Sequence, residues 1–370
     1  MLNKFNKLHG LLPSPMSKRT TMKAWQYAKG TSARTLRGKL EDSLVLNTEA
    51  AVPDKSVLAH NQLIIEVFSA AINPIDYKAP ESGWFGRTFA LGQGAQPGLD
   101  FSGRIVGKHP SNTTFAEGQR VFGSLAKASK YGTLAQYTVA TTAEIAPWPE
   151  GISADQAAAL GMSAGTAYYS LLPYIKDKKG WHVFINGGSG GVGTFTIQFA
   201  KLMGAKVTAT ASAANVDFVK SLGADEVIDY QEVDVITELG RRGSIFNLVV
   251  DNVGTPKDLY QRSGDFLKPD GTYMQVAANP TWNETWPNLK NMAVSAVVKW
   301  HQGSFRFIME RGDGADSALF GQWAAEGKLI PVVGERFAFE DVTRAYRKLR
   351  EGHSRGKIIV HIKGEEADKI

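Results

Sequence analysis

Cysteine is absent from all 370 residues of the chain. Its absence excludes disulfide bonds, catalysis by a thiolate, and every zinc or iron–sulfur site built from cysteine ligands. The seven histidines show no spacing that is typical of metal ligands. We therefore expect the protein to hold no metal.

The sequence disfavours two classes of partner, membranes and nucleic acids. The uncharged stretches at residues 156–175 and 181–200 approach the length of a membrane span, but both contain several glycines and polar residues. The net charge of +6 is modest and is not gathered into stripes of lysine and arginine mixed with aromatic residues. We expect no membrane span and no nucleic acid, and a small molecule as substrate.

Acidic residues are missing from the first 40 positions, whereas basic residues occur early, at Lys4, Lys7, Lys18, Arg19 and Lys23. A basic, acid-poor start is typical of mitochondrial import. However, only one arginine lies in the first 20 residues, and two prolines there would break an import helix. We expect a cytoplasmic protein, with mitochondrial import as the alternative.

The most informative stretch that is present covers residues 181–211. An apolar run is followed by a glycine-rich turn, an amphipathic run over residues 192–203, and a second apolar run. This order predicts strand, turn, helix and strand. Within the turn, Gly188, Gly190 and Gly193 fit the pattern G-x-G-x-x-G, in which glycines permit a tight turn and the close approach of a pyrophosphate. We predict a dinucleotide-binding site, with the unpaired N–H groups of the helix start facing the phosphates.

The end of the second strand favours NADPH over NADH. An NAD site has a carboxylate there, roughly 20 residues after the first glycine, to hold the ribose hydroxyls. This chain instead has Thr210, Ala211 and Ser212, and the first acid that follows is Asp217. Small hydroxylated residues leave room for the 2′-phosphate of NADPH and can donate hydrogen bonds to it.

The remaining patterns predict two structural units. Short extended runs before residue 148, punctuated by glycine and proline, are typical of an all-β unit. Helices and strands alternate over residues 182–276, which predicts a doubly wound parallel sheet. A last strand at residues 357–362 has no following parallel unit, so we expect it to return to the β unit. The predicted regions are residues 1–21 (an extension and candidate targeting segment), 22–155 (catalytic), 156–315 (NADPH-binding) and 316–370 (catalytic again).

Several segments in a fixed order resemble one family, the zinc-independent medium-chain dehydrogenase/reductases. They include AAINPIDYK from residue 70, PGLDFSGRIV from residue 97, the glycine-rich turn, VVDNVG from residue 249 and GHSRGKIIVHI from residue 352. The chain is similar to the quinone oxidoreductase-like branch, which includes the mitochondrial reticulon-interacting oxidoreductase and fungal oxidoreductases labelled zinc-binding. The resemblance implies a Rossmann sheet inserted into a GroES-like β-barrel catalytic domain. Zinc-dependent members have a histidine where this chain has Leu99.

The resemblance also implies a set of cofactor-binding residues. Those expected at the pyrophosphate are Gly188, Ser189, Gly190, Gly191, Val192 and Gly193. Ser212 and Tyr230 would hold the adenosine phosphate, although many quinone reductases have a lysine where this chain has Asn215. Those expected at the nicotinamide end or closing over the cofactor are Asn73, Thr166, Asn252, His353, Ser354 and Arg355.

The chemistry expected of such a site is transfer of a hydride from nicotinamide to an acceptor. Without a metal to polarise a simple ketone, conjugated acceptors such as quinones and enones are favoured, because hydrogen bonds can stabilise the oxyanion that forms. The candidates for that task are Asp76, Tyr77 and Lys78, and a structural ion pair is the alternative for all three. Lys78 ranks first, since the fungal trans-acting enoyl reductases that the segment resembles also have lysine there. Mitochondrial enoyl reductases have a catalytic tyrosine where this chain has Trp84.

Three functions remain open at this point. The first is an NADPH-dependent reductase of quinones or enones, and the second is a trans-acting or pathway-specific enoyl reductase. The third is a non-catalytic NADPH-binding protein. Trp282, Trp286 and Trp300 are candidates for the wall of an aromatic acceptor site or for a packing or subunit contact, and we keep a homodimer as one option for assembly.

Overall fold

The structure, a computed structural model, describes residues 20–363 apart from residues 30, 33–34, 37, 83–94, 128, 176–179, 277–290, 292–303 and 309–313. The predictions for Trp84, Trp282, Trp286 and Trp300, and for the basic start at residues 1–19, lie outside the described residues. Within the described part of the chain, no helix combines the length and the apolar character that crossing a bilayer requires.

A mainly antiparallel sheet forms the domain that was predicted to be catalytic. Its strands are β3 (Gln62–Ile72), β4 (Asp100–Lys108), β5 (Arg120–Ser124), β6 (Tyr137–Thr141), β7 (Ile145–Pro147), β14 (Val333–Ala338) and β15 (Lys357–His361). The order is β14-β15-β3-β4-β5-β7, with β6 also paired to β3. The last strand, β15, therefore returns to this sheet as predicted, antiparallel to β3. A separate pair, β1 (Thr21–Tyr27) and β2 (Leu44–Ala51), lies beside it.

A separate six-stranded parallel sheet confirms the predicted doubly wound fold. Its strands are β8 (His182–Asn186), β9 (Lys206–Ala211), β10 (Glu226–Asp229), β11 (Phe246–Asp251), β12 (Leu267–Gln275) and β13 (Ser304–Phe307). The order is β10-β9-β8-β11-β12-β13, so the chain reverses direction across the sheet at β8 and β11. In such sheets, ligands bind outside the carboxyl ends of the strands at this reversal.

Seven α-helices connect or cover the strands within the described residues. They are α1 (Pro74–Glu81), α2 (Ala154–Ile175), α3 (Gly191–Leu202), α4 (Val216–Ser221), α5 (Val235–Arg241), α6 (Gly314–Ala325) and α7 (Val342–Glu351). Helix α2 is interrupted at Gly161, whose backbone leaves the helical region at φ −31° and ψ −125°. A side chain there would lie 2.4 Å from Oδ1 of Asp100, so the break requires glycine. The carboxylate of Asp100 accepts a hydrogen bond from the Met162 N–H at 2.8 Å, at the point where the helix resumes.

Candidate active site

The glycine-rich turn after β8 is closed on its inner side and open on its outer side. A Cβ on Gly193 would lie 2.0 Å from the carbonyl oxygen of Gly187, and one on Gly188 would lie 3.0 Å from Cβ of Ala209. These glycines therefore allow α3 to pack closely against the sheet. A Cβ on Gly190 would meet only the Gly187 oxygen, at 3.8 Å. The start of α3 is thus accessible to a phosphate group from outside.

The strand ends beneath the turn are joined by buried hydrogen bonds. Asn186 donates to Oδ1 of Asp251 at 2.9 Å and accepts from the hydroxyl of Thr210 at 2.8 Å. The same hydroxyl accepts from the N–H of Gly187 at 2.7 Å. Thr210 is buried, so its hydroxyl supports the turn instead of facing a cofactor. The hydroxyl that remains at the end of β9 is that of Ser212, which is half-buried and accepts from Asn215 at 3.1 Å.

The segment before β15 lies against the same turn. The N–H of Gly356 donates to the carbonyl oxygen of Ser189 at 2.9 Å. The adjacent Arg355 donates from Nε to Oδ1 of Asn215 at 3.1 Å, and its guanidinium carbon lies 4.1 Å from the centre of the Phe218 ring. The structure thereby brings an exposed cation to the position where many quinone reductases carry a lysine.

The other residues expected at the adenosine end and in the C-terminal segment are partly or fully exposed. The side chain of Tyr230 is exposed, and its N–H donates to the carbonyl oxygen of Ala211 at the end of β9. His353 is exposed, whereas Ser354 is half-buried. Ser189, Gly191 and Val192, at the turn, are half-buried as well.

Two half-buried residues at this site carry buried polar side-chain atoms without hydrogen-bond partners among the described residues. They are Asn252, whose amide oxygen and nitrogen are both unpaired, and Ser354, whose hydroxyl is unpaired. Asn252 directly follows β11, the strand that pairs with β8. An unpaired buried polar group costs about 1–3 kcal/mol, and such groups usually bind something. Together with the open turn, they fit a bound dinucleotide.

Asn73 lies in a buried polar cluster at the start of α1. Its Nδ2 donates to Oδ2 of Asp100 at 2.8 Å, and its Oδ1 accepts from Nζ of Lys357 at 2.5 Å. Its backbone N–H donates to Oδ2 of Asp76 at 2.8 Å. Thr166 lies on α2 beyond the break at Gly161 and is buried. Asp100 connects the two regions, because it contacts both Asn73 and the restarted helix.

The three predicted acid–base candidates lie on α1 but in different surroundings. Asp76 is buried, and its removal from water raises the pKa of its carboxyl from 3.8 to about 7, with a smaller contribution from Asp100. Burial also raises the pKa of Tyr77, and the guanidinium of Arg350, which lies 4.0 Å from the centre of its ring, opposes that shift. Lys78 is half-exposed. Tyr77 and Lys78 are thus both less buried than Asp76.

An arginine that sequence analysis did not single out holds α1 in place. Arg350, on α7, donates from Nε to the buried carboxylate of Glu41 at 2.9 Å and forms a second ion pair with Glu81 at the end of α1. Asp100 and Lys357 were missed as well. Both lie in segments that carry the family resemblance, and each is a charged residue directly before an apolar residue at the start of a strand, which was a weak signal.

Comparison with known proteins gives the chain a family. A model described as "Alcohol dehydrogenase GroES-like domain" matches residues 59–150, and one described as "Zinc-binding dehydrogenase" matches residues 222–360. The chain is 41% identical over 357 residues to "Trans-enoyl reductase pgmF" of Aspergillus terreus, covering 93% of this chain and 97% of that protein. The chain belongs to the medium-chain dehydrogenase/reductase superfamily. It is an oxidoreductase of the quinone oxidoreductase-like branch and uses a nicotinamide cofactor.

Two further relatives of the chain agree with that placement. It is 31% identical over 333 residues to "NAD(P)H oxidoreductase RTN4IP1, mitochondrial" of Mus musculus, covering 82% of each chain. A solved quinone oxidoreductase from Coxiella burnetii superimposes with a TM-score of 0.77 at 27% identity, covering 92% of this chain and 99% of that one. Despite the word zinc in one family description, the described residues contain no group of three or more histidine, cysteine, aspartate or glutamate side chains that could hold a metal.

Proposed function

We propose that this medium-chain reductase uses NADPH to reduce a conjugated carbonyl compound, a quinone or an enone, without a metal. The observation that carries the proposal is the position of Lys78. Helix α1 begins next to Asn73, the residue expected at the nicotinamide end, and Lys78 follows just over one turn later with its side chain half-exposed. A cation at this place can stabilise the negative charge that develops on the carbonyl oxygen of the acceptor.

The cofactor-binding part of the proposal assigns each remaining residue a portion of NADPH. NADPH supplies the hydride when it is bound. The turn from Gly188 to Gly193, which includes Ser189 and Val192, would bind the pyrophosphate. The N–H groups at the start of α3 would donate hydrogen bonds to it. Ser212, Tyr230 and Arg355 would hold the 2′-phosphate. Asn252, Ser354 and His353 would lie over the cofactor, where the first two would gain the hydrogen bonds that they lack.

The proposed division of labour on α1 follows from burial. Lys78 would stabilise the enolate and deliver its proton, because a half-buried lysine keeps enough contact with solvent to be reprotonated. Asp76 accepts a hydrogen bond from the N–H of Asn73, so we assign it to holding the start of α1. Tyr77 packs against Arg350, and we assign it to holding the helix against α7.

The test is NADPH oxidation with a panel of quinones, enones and enoyl thioesters. Turnover is expected with at least one conjugated class, and Lys78→Met should lower kcat by about 10²-fold, as is usual for loss of an oxyanion-stabilising group. Lys348→Met, which removes an ion-paired lysine on α7, is the matched control. Full activity of Lys78→Met would refute the role of Lys78. A silent panel with NADPH still binding would favour the non-catalytic alternative.

A second candidate, reduction of an enoyl chain carried as a thioester, is favoured by the likeness to the trans-enoyl reductase of Aspergillus terreus. Its distinguishing result is a preference for the thioester. An enoyl pantetheine thioester should react with a kcat/KM at least tenfold above that of the matching free enone. Equal values for the two acceptors would leave the quinone and enone function as the better description.

Localisation and assembly are part of the same proposal. We favour the cytoplasm, with mitochondria as the alternative that the basic start and the name of the Mus musculus relative suggest. A fluorescent reporter fused to residues 1–30 separates the two, because import of the reporter would contradict the cytoplasmic assignment. Light scattering of the purified chain tests the homodimer directly.

A further inference from the structure

A buried ion pair lies next to Asn73 and has no part in the chemistry described so far. Nζ of Lys357 lies 3.4 Å from Oδ2 of Asp100, with side-chain exposures of 3% and 0%. Desolvating two charges costs several kcal/mol per ion, so a buried pair is weak evidence for a stabilising role. Where such a pair is retained, fixing one specific arrangement is an alternative use for it.

The pair fixes the orientation of the Asn73 amide by its chemistry. An ammonium group can only donate hydrogen bonds, and a carboxylate can only accept them. Lys357 donates to the amide oxygen of Asn73, and the amide nitrogen donates to Asp100. Turning the amide over would place its N–H groups against the ammonium and its oxygen against the carboxylate. Both contacts would then be repulsive, so only one orientation is accessible.

The same two residues contact the elements that surround the cofactor site. Lys357 directly follows Gly356, which donates to Ser189 in the glycine-rich turn. Its Cδ lies 3.1 Å from the point where Gly191 would carry a Cβ, so its stem packs on the start of α3. Asp100 in turn accepts from Met162, where α2 restarts. The pair thereby connects the turn, the start of α1 and the second half of α2.

We infer that Lys357 and Asp100 are positioning residues that lock the side-chain amide of Asn73 for the nicotinamide end of the cofactor. The inference rests on the proposed function for its catalytic consequence, since that function places Asn73 at the nicotinamide. Neither residue touches the reacting atoms in this account. Releasing the amide should therefore slow hydride transfer and leave the grip on the pyrophosphate and adenosine parts of the cofactor intact.

The perturbation must remove both charges together. Either neutralisation alone leaves a buried charge without a partner, a loss of about 3–5 kcal/mol that is expected to unfold the chain. Lys357→Met with Asp100→Asn removes the charges with little change of volume, and an asparagine at 100 can still accept from the N–H of Met162. The matched control is Glu66→Gln with Arg104→Met, an ion pair in the same sheet with 13% and 24% exposure that does not contact Asn73.

The first readout needs no cofactor turnover. In ¹H–¹⁵N spectra of the chain without cofactor, the side-chain NH₂ of Asn73, assigned by its loss in Asn73→Ala, should exchange slowly with water. In the Lys357→Met/Asp100→Asn variant it should exchange at least tenfold faster, whereas the control pair should leave it unchanged. An unchanged exchange rate in the variant would overturn the locking of the amide, whatever the protein catalyses.

The second readout separates positioning from general loss of structure. The double variant should lower kcat on the order of 10²-fold, which is what small misplacement of reacting groups costs, with the dissociation constant for NADPH changed less than threefold. Its kinetic isotope effect with NADPH deuterated at C4 should rise, because hydride transfer becomes limiting. Asn73→Ala added to the double variant should lower kcat no further. A kcat equal to wild type, or a further independent loss on adding Asn73→Ala, would refute the inference, whereas a wild-type chain inactive on the whole panel would refute the proposed function instead.

Discussion

Replacing Arg355 with leucine should weaken the binding of NADPH and leave the binding of NADH unchanged. Arg355 is held beside Asn215 by a hydrogen bond of 3.1 Å and against the ring of Phe218, so its guanidinium is ordered before the cofactor arrives. A hydrogen bond to a charged group contributes about 1.5–3 kcal/mol. Because Arg355 is exposed, solvent screening reduces that value. We expect a loss of about 1.4 kcal/mol, which is roughly a tenfold rise in the dissociation constant of NADPH.

The assay is titration of cofactor fluorescence with each nucleotide at low and at moderate salt. The NADPH effect should shrink as salt is raised, because the interaction is electrostatic. Arg355→Lys should retain most of the NADPH affinity, since it keeps the charge. Arg347→Leu, which removes another exposed arginine that pairs with Asp42, should change neither affinity. An equal loss for NADH and NADPH, or no loss for either, would refute the assignment of Arg355 to the 2′-phosphate.

Two other predictions concern the glycine-rich turn and the buried acid of α1. Gly193→Ala should destabilise the fold by about 3 kcal/mol, because its Cβ would lie 2.0 Å from the Gly187 oxygen. Gly190→Ala should unfold at the same temperature as wild type but bind NADPH at least tenfold more weakly. The reverse pattern for the two variants would contradict the geometry of the turn. The pKa of Asp76 is raised to about 7 in the folded chain, so wild type loses stability as pH rises from about 4 to 7, by on the order of 4 kcal/mol. Asp76→Asn has no such charge to bury. Its free energy of unfolding, measured with denaturant, should therefore rise relative to that of wild type over this pH range. The same pH dependence in both proteins would contradict the raised pKa.

The elements that were predicted well are those in which local pattern and tertiary role agree. The alternation expected over residues 182–276 contains strands β8 to β12, and the helix expected at 192–203 occurs as α3, which begins one residue earlier. Both belong to the buried parallel sheet or its glycine turn, where apolar residues are nearly continuous and the boundaries are marked by glycine. The return of β15 to the antiparallel sheet was expected because no parallel unit follows it in the sequence, and the family resemblance implied the same inserted arrangement.

The elements that were missed carry weak or misleading local signals. Strand β2 has mixed burial without a clean alternation, and its identity depends on pairing with β1. Helix α1 is eight residues long, contains Pro80, and buries Asp76 on the face where an apolar residue would be expected. Strand β6 begins only at Tyr137, because the residues before it pair elsewhere through a bridge between Ala135 and Ala24.

The candidate site shows the same division between local and tertiary information. The glycines follow from spacing, because their role is set within one turn of chain. The separate roles of Thr210 and Ser212 do not follow from spacing, since these strand-end hydroxyls, two residues apart, differ only in which one the neighbouring strand buries. Lys357 and Asp100 are separated by more than 250 residues, and single-residue hydropathy predicts both to be exposed. Only the fold brings the two charges together, and their pairing offsets the cost of burying each of them.

The central claim is most directly tested by following a single deuterium. Wild-type chain is incubated with NADPH deuterated at C4 and an α,β-unsaturated ketone or thioester, and the product is analysed by mass spectrometry and NMR. Hydride transfer to the conjugated bond predicts one deuterium at the β-carbon, a solvent-derived proton at the α-carbon and an intact carbonyl group. Deuterium on the carbinol carbon of an alcohol product, or no transfer of deuterium to any conjugated acceptor, would contradict the proposed function.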